Sequence, residues 1–129
     1  MASILKVDDL RGNTSAGNIT ITSEGGSATM QLQQGLTKAW LFLNGTGTIA
    51  VGDSLNIASV TDVGTGQYRP NLTSSFSSTN YSICSGDNER GVGESNFNST
   101  SAADLITRNS SFSAVDVNKI SANANGDLA

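Results

Sequence analysis

Residues 35–51 read GLTKAWLFLNGTGTIAV, and this stretch decides the fold. An aromatic and apolar run, Ala39 to Leu43, meets Asn44-Gly45 and returns through Thr46 to Val51. Asn and Gly tolerate the positive φ of a tight turn, so the pattern predicts a β-hairpin. The stretch also carries the chain's single Trp. Trp40, Phe42, Ile49 and Val51 are the densest apolar material, and they are the expected anchors of a core.

Regular strand signals continue downstream. Ser54 to Val60 alternates, with Leu55 and Ile57 expected inward, and Val63 to Gln67 is a second turn. Tyr68 to Leu72 follows as a strand limited by Pro70, which has no N–H to give a ladder and favours an edge or a bulge. Asn80 to Ser85 is the next strand, and Tyr68 and Tyr81 complete the expected core anchors. Gly86 to Gly93 is a charged loop. Leu105 to Thr107 and Ser111 to Val117 offer further strands, with Phe112 and Val115 as core candidates. The tail from Ser121 holds an Asn-Gly turn and then stops, as a frayed terminus would, unless the chain completes its last sheet in another way. Turns at short intervals, with no apolar stripe of period 3.6, predict an all-β sandwich or small barrel over residues 35–129.

Residues 1–34 differ. Ile4, Leu5 and Val7 form a short apolar knot, Asp8 to Gly17 is polar and turn-rich, and Asn18 to Thr22 alternates with Ile19 and Ile21 on one face. Ala28 to Gln34 alternates weakly through Met30 and Leu32. Two short strands with so little apolar content make a poor independent domain. The reading is an extended arm that orders by packing against neighbouring chains. Ile4, Leu5, Val7, Ile19 and Ile21 are its contact residues, and a homotrimer is the expected assembly.

Composition narrows function. Charged residues make up 14% of the 129 and aromatics 5%, while Ser, Thr, Asn and Gly abound; a chain so short of large apolar residues cannot fill a thick monomeric core, so a thin sandwich or a core shared between copies is expected. The net charge of −4 and the scattered basic residues argue against nucleic acid, which needs Lys/Arg clusters to neutralise phosphate. Histidine is absent, removing the commonest general base and the commonest metal ligand. Cys84 is the one cysteine, so no internal disulfide forms. In its strand setting it reads as an inert buried side chain. No signal peptide is visible, and no apolar run reaches membrane-spanning length.

The remaining motifs have bland readings that outweigh the functional ones. Gly45-Thr46-Gly47, Gly64-Thr65-Gly66 and Gly91-Val92-Gly93 sit between strands, whereas a phosphate cradle needs a following helix. Asp87, Glu89 and Glu94 share a loop but match no calcium-loop spacing, and a solvated loop is the better reading. Seven Asn-x-Ser/Thr sequons occur, as chance provides in a chain rich in Asn, Ser and Thr. Among the eleven carboxylates, none stands in an aromatic setting that marks a glycosidase cleft. No enzyme activity and no cofactor are expected.

Two segments taken together resemble a known group. Met1 to Val7 (MASILKV), with Asp8 and the later Ser-Ala-Gly-Asn-Ile-Thr, is similar to the opening of small virion proteins of marine and cyanobacterial tailed phages. The strand Lys38-Ala39-Trp40, then Asn44-Gly45-Thr46-Gly47-Thr48, resembles the head module of the same group. So does Ser54-x-Asn56-Ile57-x-Ser59-Val60-Thr61-Asp62 followed by Gly64-Thr65-Gly66-x-Tyr68. Asn80-Tyr81 fits its next strand, and Ser110-Ser111-Phe112 a later one. The group usually finishes with a β-strand after an Asn-Gly or Asp-Gly turn, whereas this chain ends at Asn125-Gly126-Asp127-Leu128-Ala129. Whether the last sheet closes within one chain stays open at this point. The resemblance implies a virion structural or fibre-like protein, assembled in the host cytoplasm. Its N-terminus would attach to the capsid or tail, and its C-terminal module would be displayed outward. Other copies, other virion proteins and a host-surface glycan or receptor are the partners it implies.

Overall fold

The computed structural model describes residues 4–88 and 94–129. The chain divides into two compact units, Met1–Leu36 and Thr37–Ala129.

In the first unit β1 (Thr20–Thr22) pairs antiparallel with β2 (Thr29–Gln31), placing Ile21 opposite Met30. The turn between them is closed by Ser23 N–H to the Ala28 carbonyl at 2.8 Å, with Gly26 at φ +73. A single helical turn, α1 (Leu32–Gly35), follows. The ladder is shorter than the alternation of residues 18–22 and 28–34 predicts, because side chains with nothing to pack against do not extend it. Among residues 4–36 no side chain is buried.

The second unit is all β. Its eight strands are β3 (Ala39–Asn44), β4 (Ala50–Leu55), β5 (Ile57–Gly64), β6 (Gln67–Leu72), β7 (Ser82–Asp87), β8 (Glu94–Phe97), β9 (Ala103–Ile106) and β10 (Ile120–Asn125). They form two antiparallel sheets of order β4-β3-β10-β7 and β5-β6-β9-β8. Leu41, Leu43 and Ile120 from the first sheet meet Tyr68 and Leu105 from the second, together with Val117. At the other end Ala39 and Ala124 meet Ala103, Phe76 and Tyr81, whose rings stack 4.2 Å apart. The result is sandwich-like, with a thin core. Four of the inward positions, Ala39, Ala103, Ala122 and Ala124, are alanines, and they border an apolar void of about 30 Å³.

The chain passes from one sheet to the other at Asn56, between β4 and β5, with φ 59. Asn reaches the left-handed region more readily than other side chains. Its amide also fixes the corner: Nδ2 donates to the Ser74 carbonyl at 3.0 Å, and Oδ1 accepts from Ser74 N–H at 2.7 Å.

Five details differ from the sequence reading. The first hairpin does not turn on Asn44-Gly45. Asn44 Oδ1 accepts from Thr46 N–H and Oγ1 at 3.0 and 2.8 Å, and the positive φ falls on Gly47. Pro70 lies in β6, an interior strand, where the ladder to β9 lapses between Tyr68 and Asn71 and no N–H is needed. Residues 111–117 are not a strand. Phe112 sits at φ 61 in a turn whose Asn109 Oδ1 accepts from Ser111 and Ser113 N–H, and its ring is 76% exposed. Cys84 is exposed rather than buried. The tail is not frayed: β10 is an interior strand, paired with β3 on one side and β7 on the other, so this sheet closes within one chain.

Candidate functional site

The two outer faces of the sandwich have opposite chemistry. Register puts Ser59, Thr61, Arg69, Asn71 and Asp104 on the outside of the β5-β6-β9-β8 sheet. These side chains satisfy one another. Asn71 Nδ2 reaches Ser59 Oγ and Thr61 Oγ1, both at 3.2 Å. Arg69 Nε and Nη2 fork onto the two oxygens of Asp104 at 2.6 and 3.0 Å, and Gln67 adds a third bond at 2.9 Å. The Arg69 bond, aided by those from Gln67 and Asn98, holds the Asp104 carboxyl below its ordinary range. This face is finished for solvent.

The outside of the β4-β3-β10-β7 sheet is different. Residues directly opposite in register share a face. One row across the four strands is Leu55, Trp40, Asn123 and Cys84, and the next is Asp53, Phe42, Ser121 and Gly86. Trp40 is 36% and Phe42 42% exposed. Beside Phe42 the β3–β4 register shifts, and a Cβ at Gly52 would lie 2.8 Å from the ring. Gly52 thus leaves room for the ring to lie over β4. On the other side the small residues of β10 and β7 leave a trough of about 470 Å³ beside the two rings. It shares Phe42, Gly86 and Ser121 with a second recess of about 250 Å³ that reaches Asp87 and Lys119.

The expected core anchors therefore separate. Tyr68 and Tyr81 are buried, and Ile49 and Ile57 are partly buried against the core. Trp40, Phe42, Val51 and Leu55 are corrected: all four are exposed. Every residue of Ala39 to Leu43 is apolar, so alternation alone does not say which set faces in. A one-residue change of parity exchanges the two faces, and here Ala39, Leu41 and Leu43 are the inner set. Sequence reasoning missed Ser121 and Asn123, and put Gly86 at the start of a loop whereas it lies in β7. The signal was there in small form: Ile120, Ala122 and Ala124 alternate with Ser121 and Asn123.

The first unit presents a second surface. Ile4 and Leu5 are 81% and 77% exposed, and Val7 and Ile21 are exposed with them, while Ile19 is half-buried. Among the described residues no group of three or more His, Cys, Asp or Glu could hold a metal, and no helix is long and apolar enough to cross a membrane. Of the acidic loop Asp87, Glu89 and Glu94, Glu89 lies outside the described residues, as does most of the Gly86–Gly93 loop.

No family model, curated protein or solved structure matches this chain.

Proposed function

We propose that the chain is a bacteriophage virion structural protein, a fibre- or spike-like component without catalytic activity. Residues 1–34 dock it to the particle and interlace with other copies as a homotrimer, and the β-sandwich head is displayed. One observation carries this reading. The described residues of the first unit, 4–36, include apolar side chains but no buried one, whereas the second unit encloses its own core. Burying an aliphatic side chain stabilises by about 1.5–3 kcal/mol, against about 1–2 kcal/mol to order each residue's backbone. A segment with sparse apolar residues gains order most readily when several copies share them. The resemblance of MASILKV and the Lys-Ala-Trp module to phage virion proteins supports the same reading.

Within it, capsid decoration and host attachment are distinct roles. The exposed Trp40 and Phe42 support attachment, because paired aromatic rings on a displayed module offer flat apolar surface to a ligand. Mass spectrometry of purified particles tests the central claim: the chain is expected among the virion proteins at a fixed copy ratio to the major capsid protein. Its absence from washed particles would overturn the proposal.

A further inference from the structure

The geometry points to the outer face of the β4-β3-β10-β7 sheet as a binding site for a neutral oligosaccharide. Trp40 and Phe42 stack the apolar faces of its sugar rings, and Ser121 and Asn123 bond its hydroxyls. The inference deepens the attachment reading of the displayed head but stands on the sandwich alone.

Three features select this occupant. The first is the pairing of chemistries. A sugar ring has an apolar C–H face and a rim of hydroxyls. Two aromatic residues two apart on β3 offer flat apolar surface on one side of the sheet, while Ser121 and Asn123 stand directly opposite them on β10. The second is charge. Trp40, Phe42, Cys84, Gly86, Ser121 and Asn123 line the trough, and none carries a formal charge. Asp87 and Lys119, at the far end, are of opposite sign, and Asp53, opposite Phe42 on β4, adds an anion and no cation to the face. A strongly anionic polymer finds no cationic row here, so the match is to an uncharged ligand. The third is size. A trough of about 470 Å³ falls within the range of small-ligand sites, roughly 300–1,000 Å³.

The molecule carries two reporters on this face. Trp40 is the chain's single Trp and Cys84 its single thiol, and both border the trough. Full-length protein is titrated with an array of neutral hexose oligosaccharides of several linkages and with their uronic-acid counterparts. Trp emission and the rate of Cys84 alkylation are followed. At least one neutral oligosaccharide is expected to shift Trp40 emission saturably and to slow alkylation, with its acidic counterpart binding more weakly. Trp40→Ala and Phe42→Ala, read by Cys84 protection, should each weaken binding about tenfold or more. Gly86→Gln supplies a variant that leaves the fold alone. A Cβ at Gly86 meets nothing within 4 Å, so the longer side chain fills the trough and should abolish binding at unchanged Tm. No saturable response across the array overturns the inference, as does binding that survives both Phe42→Ala and Gly86→Gln. Trp40 emission that shifts with protein concentration alone would assign the face to a second copy instead, and also overturns it. None of these outcomes depends on finding the chain in particles, so the two proposals fail separately.

Discussion

Leu43 and Phe42 are neighbours in sequence with opposite fates: Leu43 is fully buried and Phe42 faces out. The parity of β3 can be measured directly. Leu43→Ala is expected to lower stability by about 2–5 kcal/mol, and Trp40→Ala, whose ring is partly exposed, by clearly less, in urea unfolding. Comparable losses at both positions would mean that the strand is turned over. Tyr68 shows how tightly the core end is set. Its hydroxyl lies 2.9 Å from Asp116 Oδ1 and 3.1 Å from the Gly45 carbonyl. A Cβ at Gly45 would collide with that hydroxyl, so Gly45→Ala should cost about 1–3 kcal/mol through overpacking. Burial, then the bond to Asp116, pushes the Tyr68 phenol above its ordinary value of 10, and burial pushes Tyr81 up as well. A phenol whose folded value is raised contributes stability that is whole below the unfolded value and is lost as pH climbs past it. Tyr68 should therefore not ionise near pH 10 while the chain is folded. Phenolate absorbance should rise together with loss of β circular dichroism, and Tyr68→Phe should shift that alkaline transition upward.

At the scale of elements, β10 carries the most weight for the least sequence signal. It pairs with two strands and contributes only Ile120, Ala122 and Ala124 to the interior. Ending the chain at Lys119 exposes the edges of β3 and β7 and should abolish cooperative thermal unfolding. A truncated chain that still melts cooperatively would show the strand to be dispensable. The β6–β9 pair is tied by Arg69 and Asp104, a forked bond with one partner buried. Asp104→Asn should destabilise by about 1–2 kcal/mol at neutral pH, the value being reduced by solvent at the half-exposed Arg69. The carboxyl is held below its ordinary value of 3.8, so its contribution is present above that pH and disappears as pH falls through the lower folded value. Wild type and Asp104→Asn should accordingly converge in stability in strong acid. Strands β3 and β6 were legible in sequence between Gly and Asn turns, whereas the single strand read over Ser54–Val60 is two: β4 ends at Leu55, Asn56 turns the chain, and β5 starts at Ile57 in the other sheet. Residues 111–117 misled: Phe112 looks like core, but Asn109 gathers the backbone into a turn and leaves the ring outside.

For the whole molecule, the division at Leu36 separates a part with its own core from one whose described residues bury no side chain. If residues 1–34 assemble copies, the full chain should sediment as a trimer, and a 37–129 variant as a folded monomer with nearly unchanged Tm. A monomeric full chain whose first 36 residues resist protease would overturn that expectation. The sequence by itself determined the class of fold, since scarce charge, absent helical periodicity and frequent Gly/Asn turns leave only antiparallel β structure. It also marked residues 1–34 as different, because too few apolar side chains fall there to build a core. Only the tertiary structure decided which side of β3 faces water, and that Gly86, Ser121 and Asn123 meet Trp40 and Phe42. An unbroken apolar run carries no parity, and residues some eighty positions apart become neighbours only when β10 enters between β3 and β7.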